Sequence, residues 1–147
     1  ILGGNLNDTK KIERIYSAIL PDSEIIKTTF KEAEMVKYFT NTFLASKVTF
    51  ANEMYQLCKK LNINYDQIVK FAVYDKRLGK SHFSVPGPDG KLGFGGSCFP
   101  KDLNAIIFMF KSLGIKATLL EAVWKSNSEL RPNNIIALNN KDRDKND

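Results

Sequence analysis

Residues 31–61 read KEAEMVKYFTNTFLASKVTFANEMYQLCKKL, thirty-one positions without a proline or a glycine and rich in helix formers. The stretch predicts one helix of about eight turns at ~3.6 residues per turn. Its apolar residues do not keep to one stripe. Met35, Val36, Tyr38, Phe39, Phe43, Leu44, Val48, Phe50, Ala51, Met54, Tyr55 and Leu57 cover most of the circumference. A helix that is apolar all round is buried on several sides, in a bundle or across a subunit interface. Cys58 falls within this pattern and reads as a small buried hydrophobe.

Before this helix, residues 1–30 read as strand, helix, strand. Ile1-Leu2-Gly3-Gly4 is a short apolar run ending in glycines, and Asp8 or Thr9 can cap a helix whose apolar face is Ile12, Ile15, Tyr16 and Ile19. Pro21-Asp22 turns the chain, and Glu24–Phe30 is β-branched and strand-like. Such a unit belongs in a parallel sheet and cannot close a core alone. With an opening at Ile1 inside a strand, it reads as the end of a larger α/β domain, in a piece of a longer protein.

After the long helix, Asn62 and Asn64 break the pattern and a second helix runs from Tyr65 to about Tyr74. A Gly- and Pro-rich loop spans Leu78 to Ser97. Pro100 then opens a helix through Leu113, stopped by Gly114, and a last helix runs from about Thr118 to Leu130. From Pro132 the chain turns polar, and Lys141 to Asp147 has no apolar residue, so residues 132–147 are expected to be a disordered tail. The expected fold is therefore mainly α: a strand-helix-strand segment (1–30), a helical domain built on the long helix (31–131) and the tail.

At 147 residues and 43% apolar composition, one globular core is affordable. No run is long and apolar enough to span a bilayer, and the first residues lack the basic-then-apolar pattern of a signal peptide. Two cysteines give neither a disulfide framework nor a zinc site, which fits a reducing cytoplasm and no metal. His82, the sole histidine, lies in a Pro/Gly loop without an adjacent nucleophile, so a Ser-His-Asp or Cys-His device is disfavoured. The net charge of +6 suits an anionic partner. Its lysines are scattered, however, and nothing interleaves aromatics with basic residues as single-strand binders do. Nucleic acid is accordingly not expected.

The sharpest local signal is Gly93-Phe94-Gly95-Gly96-Ser97-Cys98-Phe99-Pro100-Lys101-Asp102. Glycines allow close backbone approach to a ligand, and Ser97 or Cys98 can cap the helix that Pro100 enters. A thiol at a helix N-terminus meets the positive end of the dipole, which favours the thiolate, and Lys101 adds positive charge. Asp102 follows Cys98 by four residues, one turn along the same face. A dinucleotide fingerprint is a poor alternative, because Cys98 stands where its third glycine belongs and no strand precedes it. An inert thiol at a loop-to-helix junction remains open on these grounds. The second signal is Lys37 and Asn41, one turn apart on a largely apolar helix, which form either a wet stripe with Glu34 or a site for an acidic partner.

Taken in order, Glu34-x-x-Lys37-Tyr38-x-x-Asn41-x-x-Leu44-Ala45-x-Lys47-Val48-x-x-x-Asn52-Glu53, then Asp75-Lys76-Arg77-Leu78-Gly79, then Gly93 to Asp102, resembles the UDP-glucose/GDP-mannose dehydrogenase family over about residues 1–131. The resemblance implies that residues 1–30 end an NAD-binding Rossmann-type domain and that 31–131 form the helical dimerisation domain. It implies oxidation of the C6 alcohol of a nucleotide-linked hexose to an acid, with NAD as cofactor and a cysteine thiohemiacetal and thioester on the way. UDP-glucose is the first expectation for the substrate; GDP-mannose or another UDP-hexose, or a module that binds without catalysis, are the alternatives.

Carried onto this chain, the resemblance makes Cys98 the nucleophile, Lys37 the oxyanion-stabilising and proton-transferring cation, Asn41 its companion and Asp102 the residue that places water. It puts Arg77 on the nucleotide sugar of a partner subunit. Gly90, Gly93, Phe94 and Gly95 belong to the loop around sugar and diphosphate, and Cys98 and Lys101 lie against the nicotinamide. The sequence departs from the family in having no Gly-x-Gly-x-x-Gly unit, so the chain by itself is expected to be inactive, and in a long Ser81–Asp89 loop, which bears on the sugar it fits.

Overall fold

The computed structural model describes residues 1–132, in two compact units: Ile1–Thr40, and a second that begins at Asn41. In the first, β1 (Leu2–Gly3) and β2 (Lys27–Thr28) pair in parallel, Leu2 opposite Lys27 and Gly3 opposite Thr28, with α1 (Leu6–Ile19) as the connection. The expected strand over Glu24–Phe30 is thus much shorter. β1 offers only two paired residues, and a helix start takes over at Thr29. There the Glu32 carboxylate accepts from the Thr29 amide (3.1 Å) and hydroxyl (2.8 Å), and the Glu32 amide returns a bond to Thr29 Oγ1 at 3.3 Å. A bond from the Thr28 hydroxyl, followed by those from Thr29, holds the Glu32 carboxyl below its ordinary range. Phe30 is consequently the first residue of α2 (Phe30–Lys60), the long helix.

The cap of α1 also differs from the expectation. Asn5, rather than Asp8 or Thr9, caps it by accepting from the Asp8 amide at 2.9 Å, which places Asp8 and Thr9 inside the first turn. Ile12, Ile15, Tyr16 and Ile19 do share a face, and it stands exposed by 41, 56, 47 and 67%. At Gly3 a Cβ would lie 2.7 Å from the Ala33 Cβ, so α2 packs directly on the strand backbone.

The second unit holds the rest of α2, then α3 (Tyr65–Ala72), a 3-10 turn (Lys76–Leu78), α4 (Cys98–Ser112) and α5 (Thr118–Leu130). Asn62, at a φ of 55°, closes α2, and Asn64 caps α3 through the Gln67 amide at 3.0 Å. Gly114, at a φ of 70°, ends α4 as expected. One core joins Ala45, Phe94, Leu103, Ile107, Ala117 and Val123, with α2, α4, α5 and the glycine loop all contributing. A second gathers Ala51, Cys58, Tyr65, Phe83 and Val85 beneath the 79–97 loop. Each large apolar side chain taken fully from water in these cores contributes about 1.5–3 kcal/mol. Among the described residues, no helix is long and apolar enough to cross a membrane. Of the expected disordered tail, residues 133–147 lie outside the described residues.

Tyr65 ties the second core to the loop by donating its hydroxyl to the Phe83 carbonyl at 2.7 Å. Burial, then the charges of Asp66 and Cys58, push its hydroxyl up to about 12. A folded-state value above the unfolded one means that this stability is complete below pH ~10 and lost as the pH rises through about 12. Tyr65→Phe is expected to cost about 1–3 kcal/mol, because the Phe83 carbonyl loses its donor, and to remove a tyrosinate absorbance step near pH 12. An alkaline titration identical in both proteins would contradict this.

Candidate functional site

Cys98 is the first residue of α4, and it is exposed, whereas Cys58 is 5% exposed inside the second core. Ser97 takes the N-cap position with a helical backbone (φ −86°, ψ −25°), and its side chain makes no capping bond. The expected cap by Ser97 or Cys98 is therefore corrected. With Ser97 already helical, its hydroxyl turns to the thiol instead, at 3.9 Å from the Cys98 Sγ. Pro100 stands in the first turn, as third residue of the helix, where its missing N–H costs nothing.

One turn on, Asp102 is fully buried and held at both oxygens. The Asn41 amide donates to Oδ2 at 2.5 Å across 61 residues of sequence, and the Lys101 ammonium pairs with Oδ1 at 2.7 Å. Asp102 thus takes a hydrogen bond from Asn41 and an ion pair from Lys101, which brings the three residues together one turn along α4 from Cys98. Lys37 lies one turn before Asn41 on α2, in the part of that helix belonging to the first unit.

Gly93, Phe94 and Gly95 line a hollow of ≈ 490 Å³ together with Gly96, Phe99, His82, Asp89 and Arg131. His82, set aside in the sequence as an isolated residue, has its ring 5.8 Å from that of Phe99. Gly90, at a φ of 72°, is part of the turn before this hollow rather than of its wall. Arg77 is apart from these residues. It is paired with Asp75 at 2.6 Å and lines a separate apolar hollow of ≈ 470 Å³ under Phe43, Phe50 and Phe83. In that hollow Lys47 donates to the Leu78 carbonyl at 2.8 Å and lies 4.2 Å from the centre of the Phe83 ring; burial lowers its ammonium from the usual lysine range.

Three residues that shape the loop were given no role by the sequence. Asn52 accepts from the Gly93 amide at 2.9 Å, and Asn127 accepts from the Phe94 amide at 2.7 Å. Arg131 donates to the Leu92 carbonyl through Nε and grips Asp89 with its two terminal guanidinium nitrogens, holding its carboxyl down at about 2. The available signal was positional: Val123 and Asn127 of α5 and Arg131, just past its end, are buried at four-residue steps. Among the described residues, no three His, Cys, Asp or Glu side chains gather as a metal site.

This geometry can be set beside known proteins. The chain is 37% identical over 136 residues to the UDP-glucose 6-dehydrogenase of Rickettsia conorii, covering 92% of this chain and 30% of that protein. It is 32% identical over 143 residues to the UDP-glucose 6-dehydrogenase TuaD of Bacillus subtilis, again with 30% of the relative covered. The solved UDP-glucose dehydrogenase of the archaeon Pyrobaculum islandicum superposes with a TM-score of 0.76 at 36% identity, over 86% of this chain and 28% of that one. The chain therefore spans about a third of the length of these relatives. Residues 31–129 match the profile described as "UDP-glucose/GDP-mannose dehydrogenase family, central domain", and with the relatives above they establish that the chain belongs to that family.

Proposed function

We propose that this chain is the central part of a UDP-glucose 6-dehydrogenase and supplies its thiol chemistry. The observation that carries the reading is the exposed Cys98 at the start of α4, one turn before a buried Asp102 fixed by Asn41 and Lys101. In this role the Cys98 thiolate attacks the C6 aldehyde. A sulfur–carbon bond forms, and the carbonyl electron pair moves to oxygen. Lys37 and Asn41 stabilise that oxyanion, as the family resemblance assigns them. The adduct would give up its C6 hydride to NAD held by the rest of the enzyme, leaving a thioester. Water, placed by Asp102 as the family resemblance assigns it, would add to that carbonyl, the sulfur–carbon bond would break and the thiol would leave as the acid forms.

NAD is the hydride acceptor of this family's enzymes. The described residues do not fit its pyrophosphate. Gly3 and Gly4 form a strand-to-helix turn, but a Cβ at Gly3 meets Ala33 at 2.7 Å and one at Gly4 meets Thr9 at 3.3 Å, so the chain's own side chains fill that space. Within the same reading, residues 1–30 close the dinucleotide-binding domain, whose further strands would cover the apolar face of α1. The two free thiols accord with a cytoplasmic enzyme.

The homodimer belongs to the proposal as well. Phe43, Phe50 and Leu57 recur at seven-residue steps on α2, exposed by 60, 57 and 50%. Sedimentation is expected to give a dimer at micromolar concentration, and Phe50→Lys a monomer. A well-folded monomer of the parent chain would contradict this. The function itself is tested by replacing the matching central segment of the B. subtilis relative with residues 31–129. The chimera is expected to convert UDP-glucose to the acid with NAD, and a folded chimera that binds both without turnover would refute the reading.

A further inference from the structure

Asn52, Asn127 and Arg131 are polar side chains exposed by only 2, 4 and 8%, and each spends its bonds on the loop that leads to Cys98. Asn127 closes a two-way clamp on Phe94, accepting from its amide at 2.7 Å and donating to its carbonyl at 3.1 Å. Arg131 donates to the carbonyls of Leu92 (2.5 Å) and Gly93 (3.0 Å) while holding Asp89 at 2.5 and 2.9 Å. Asn52 takes the Gly93 amide at 2.9 Å and anchors its own amide on the Val48 carbonyl at 2.8 Å. Burying three such groups costs free energy unless each is matched, and apolar residues would pack α5 on α2 without that cost. What the polar set adds is a fixed conformation. Successive backbone groups from Leu92 to Phe94 are held from the protein side, so Gly95 and Gly96 set out toward Cys98 from a defined point on the wall of the ≈ 490 Å³ hollow.

We infer that Asn127 and Arg131 are positioning residues, which set the Asp89–Phe94 segment in its ligand-ready shape before a nucleotide sugar arrives. The identity of the ligand rests on the proposed function; the ordering of the loop does not. The test compares the 147-residue chain with Asn127→Ala and Arg131→Ala, and with Asn127→Asp and Arg131→Lys should the alanine variants fail to fold. Hydrogen exchange at the Gly93 and Phe94 amides is expected to rise about tenfold or more, with α3 amides unchanged. UDP-glucose is expected to bind about tenfold more weakly, because the loop must then be ordered on binding. Tens of millimolar guanidinium chloride, but not sodium chloride, should restore part of both in Arg131→Ala. Asn127→Asp keeps the acceptor for the Phe94 amide and should preserve its protection.

Unchanged exchange at Gly93 and Phe94 in Asn127→Ala and Arg131→Ala, or in Arg131→Lys where those do not fold, would overturn the inference. So would an equal rise throughout α3 and α5 without rescue by guanidinium, which marks plain loss of stability. If the parent chain shows ordered Gly93 and Phe94 amides that these variants release, yet does not bind UDP-glucose, the positioning stands and the substrate assignment falls.

Discussion

Cys98→Ala, placed in the chimera with the B. subtilis relative, is expected to lower acid formation by a factor on the order of 10³ or more. That factor corresponds to a barrier raised by about 4 kcal/mol. The reason is that no other described side chain can take over the attack. Cys58 is enclosed in the second core, and Ser97, the nearest hydroxyl, is a far weaker nucleophile without an adjacent base. The substitution should leave the fold intact, because the Cys98 side chain is exposed and caps nothing. Binding of UDP-glucose should therefore persist while turnover to the acid fails. Acid formation at the parental rate in a folded Cys98→Ala chimera would remove the thiol from the mechanism.

Gly93→Ala is expected to destabilise the chain by about 2–4 kcal/mol, the sum of a strained backbone and a broken clamp. At a φ of 68° an L side chain is strained wherever it has room, and here it has none. The new Cβ would fall 2.5 Å from the Asn127 Oδ1 that accepts the Phe94 amide, with Leu130 Cβ at 3.4 Å and Arg131 Nε at 3.6 Å behind it. Either Asn127 moves and leaves buried groups unsatisfied, or the loop lifts off α5. Gly96→Ala is the control. Its φ of 75° carries similar strain, but nothing lies within 4 Å, so about 1–2 kcal/mol is expected. Equal melting temperatures for the two variants would show that the clamp contributes nothing.

The parts of this fold set by local chemistry were legible in the sequence. A run without glycine or proline became α2, the restart at Tyr65 and the stop at Gly114 fell where expected, and α5 spans Thr118–Leu130 as read. The misreadings occur where local preference meets competition. Glu24–Phe30 has strand-like residues, but a strand is no longer than its partner, and the Thr29–Glu32 exchange drew Phe30 into the helix. Asp8 and Thr9 are good capping residues that lost the position to Asn5, three residues nearer the strand.

For the site, the contrast between Cys58 and Cys98 could be read from pattern alone, because one lies on an apolar helix and the other follows glycines. The partnership of Asn41 with Asp102 spans 61 residues, and those of Asn127 and Arg131 with the loop span 33 and about 40. Spacing along a chain carries no sign of such pairs. The only trace was the occurrence of polar residues at core positions of α5.

The central claim, that Cys98 is an accessible nucleophile within a nucleotide-sugar site, is tested most directly by timed alkylation of the 147-residue chain near neutral pH, with and without UDP-glucose. Modification at each cysteine would be read by mass spectrometry. Cys98 is expected to react more than about tenfold faster than the buried Cys58, with UDP-glucose slowing Cys98 alone. Equal labelling of the two thiols, or a Cys98 rate indifferent to UDP-glucose, would contradict the account.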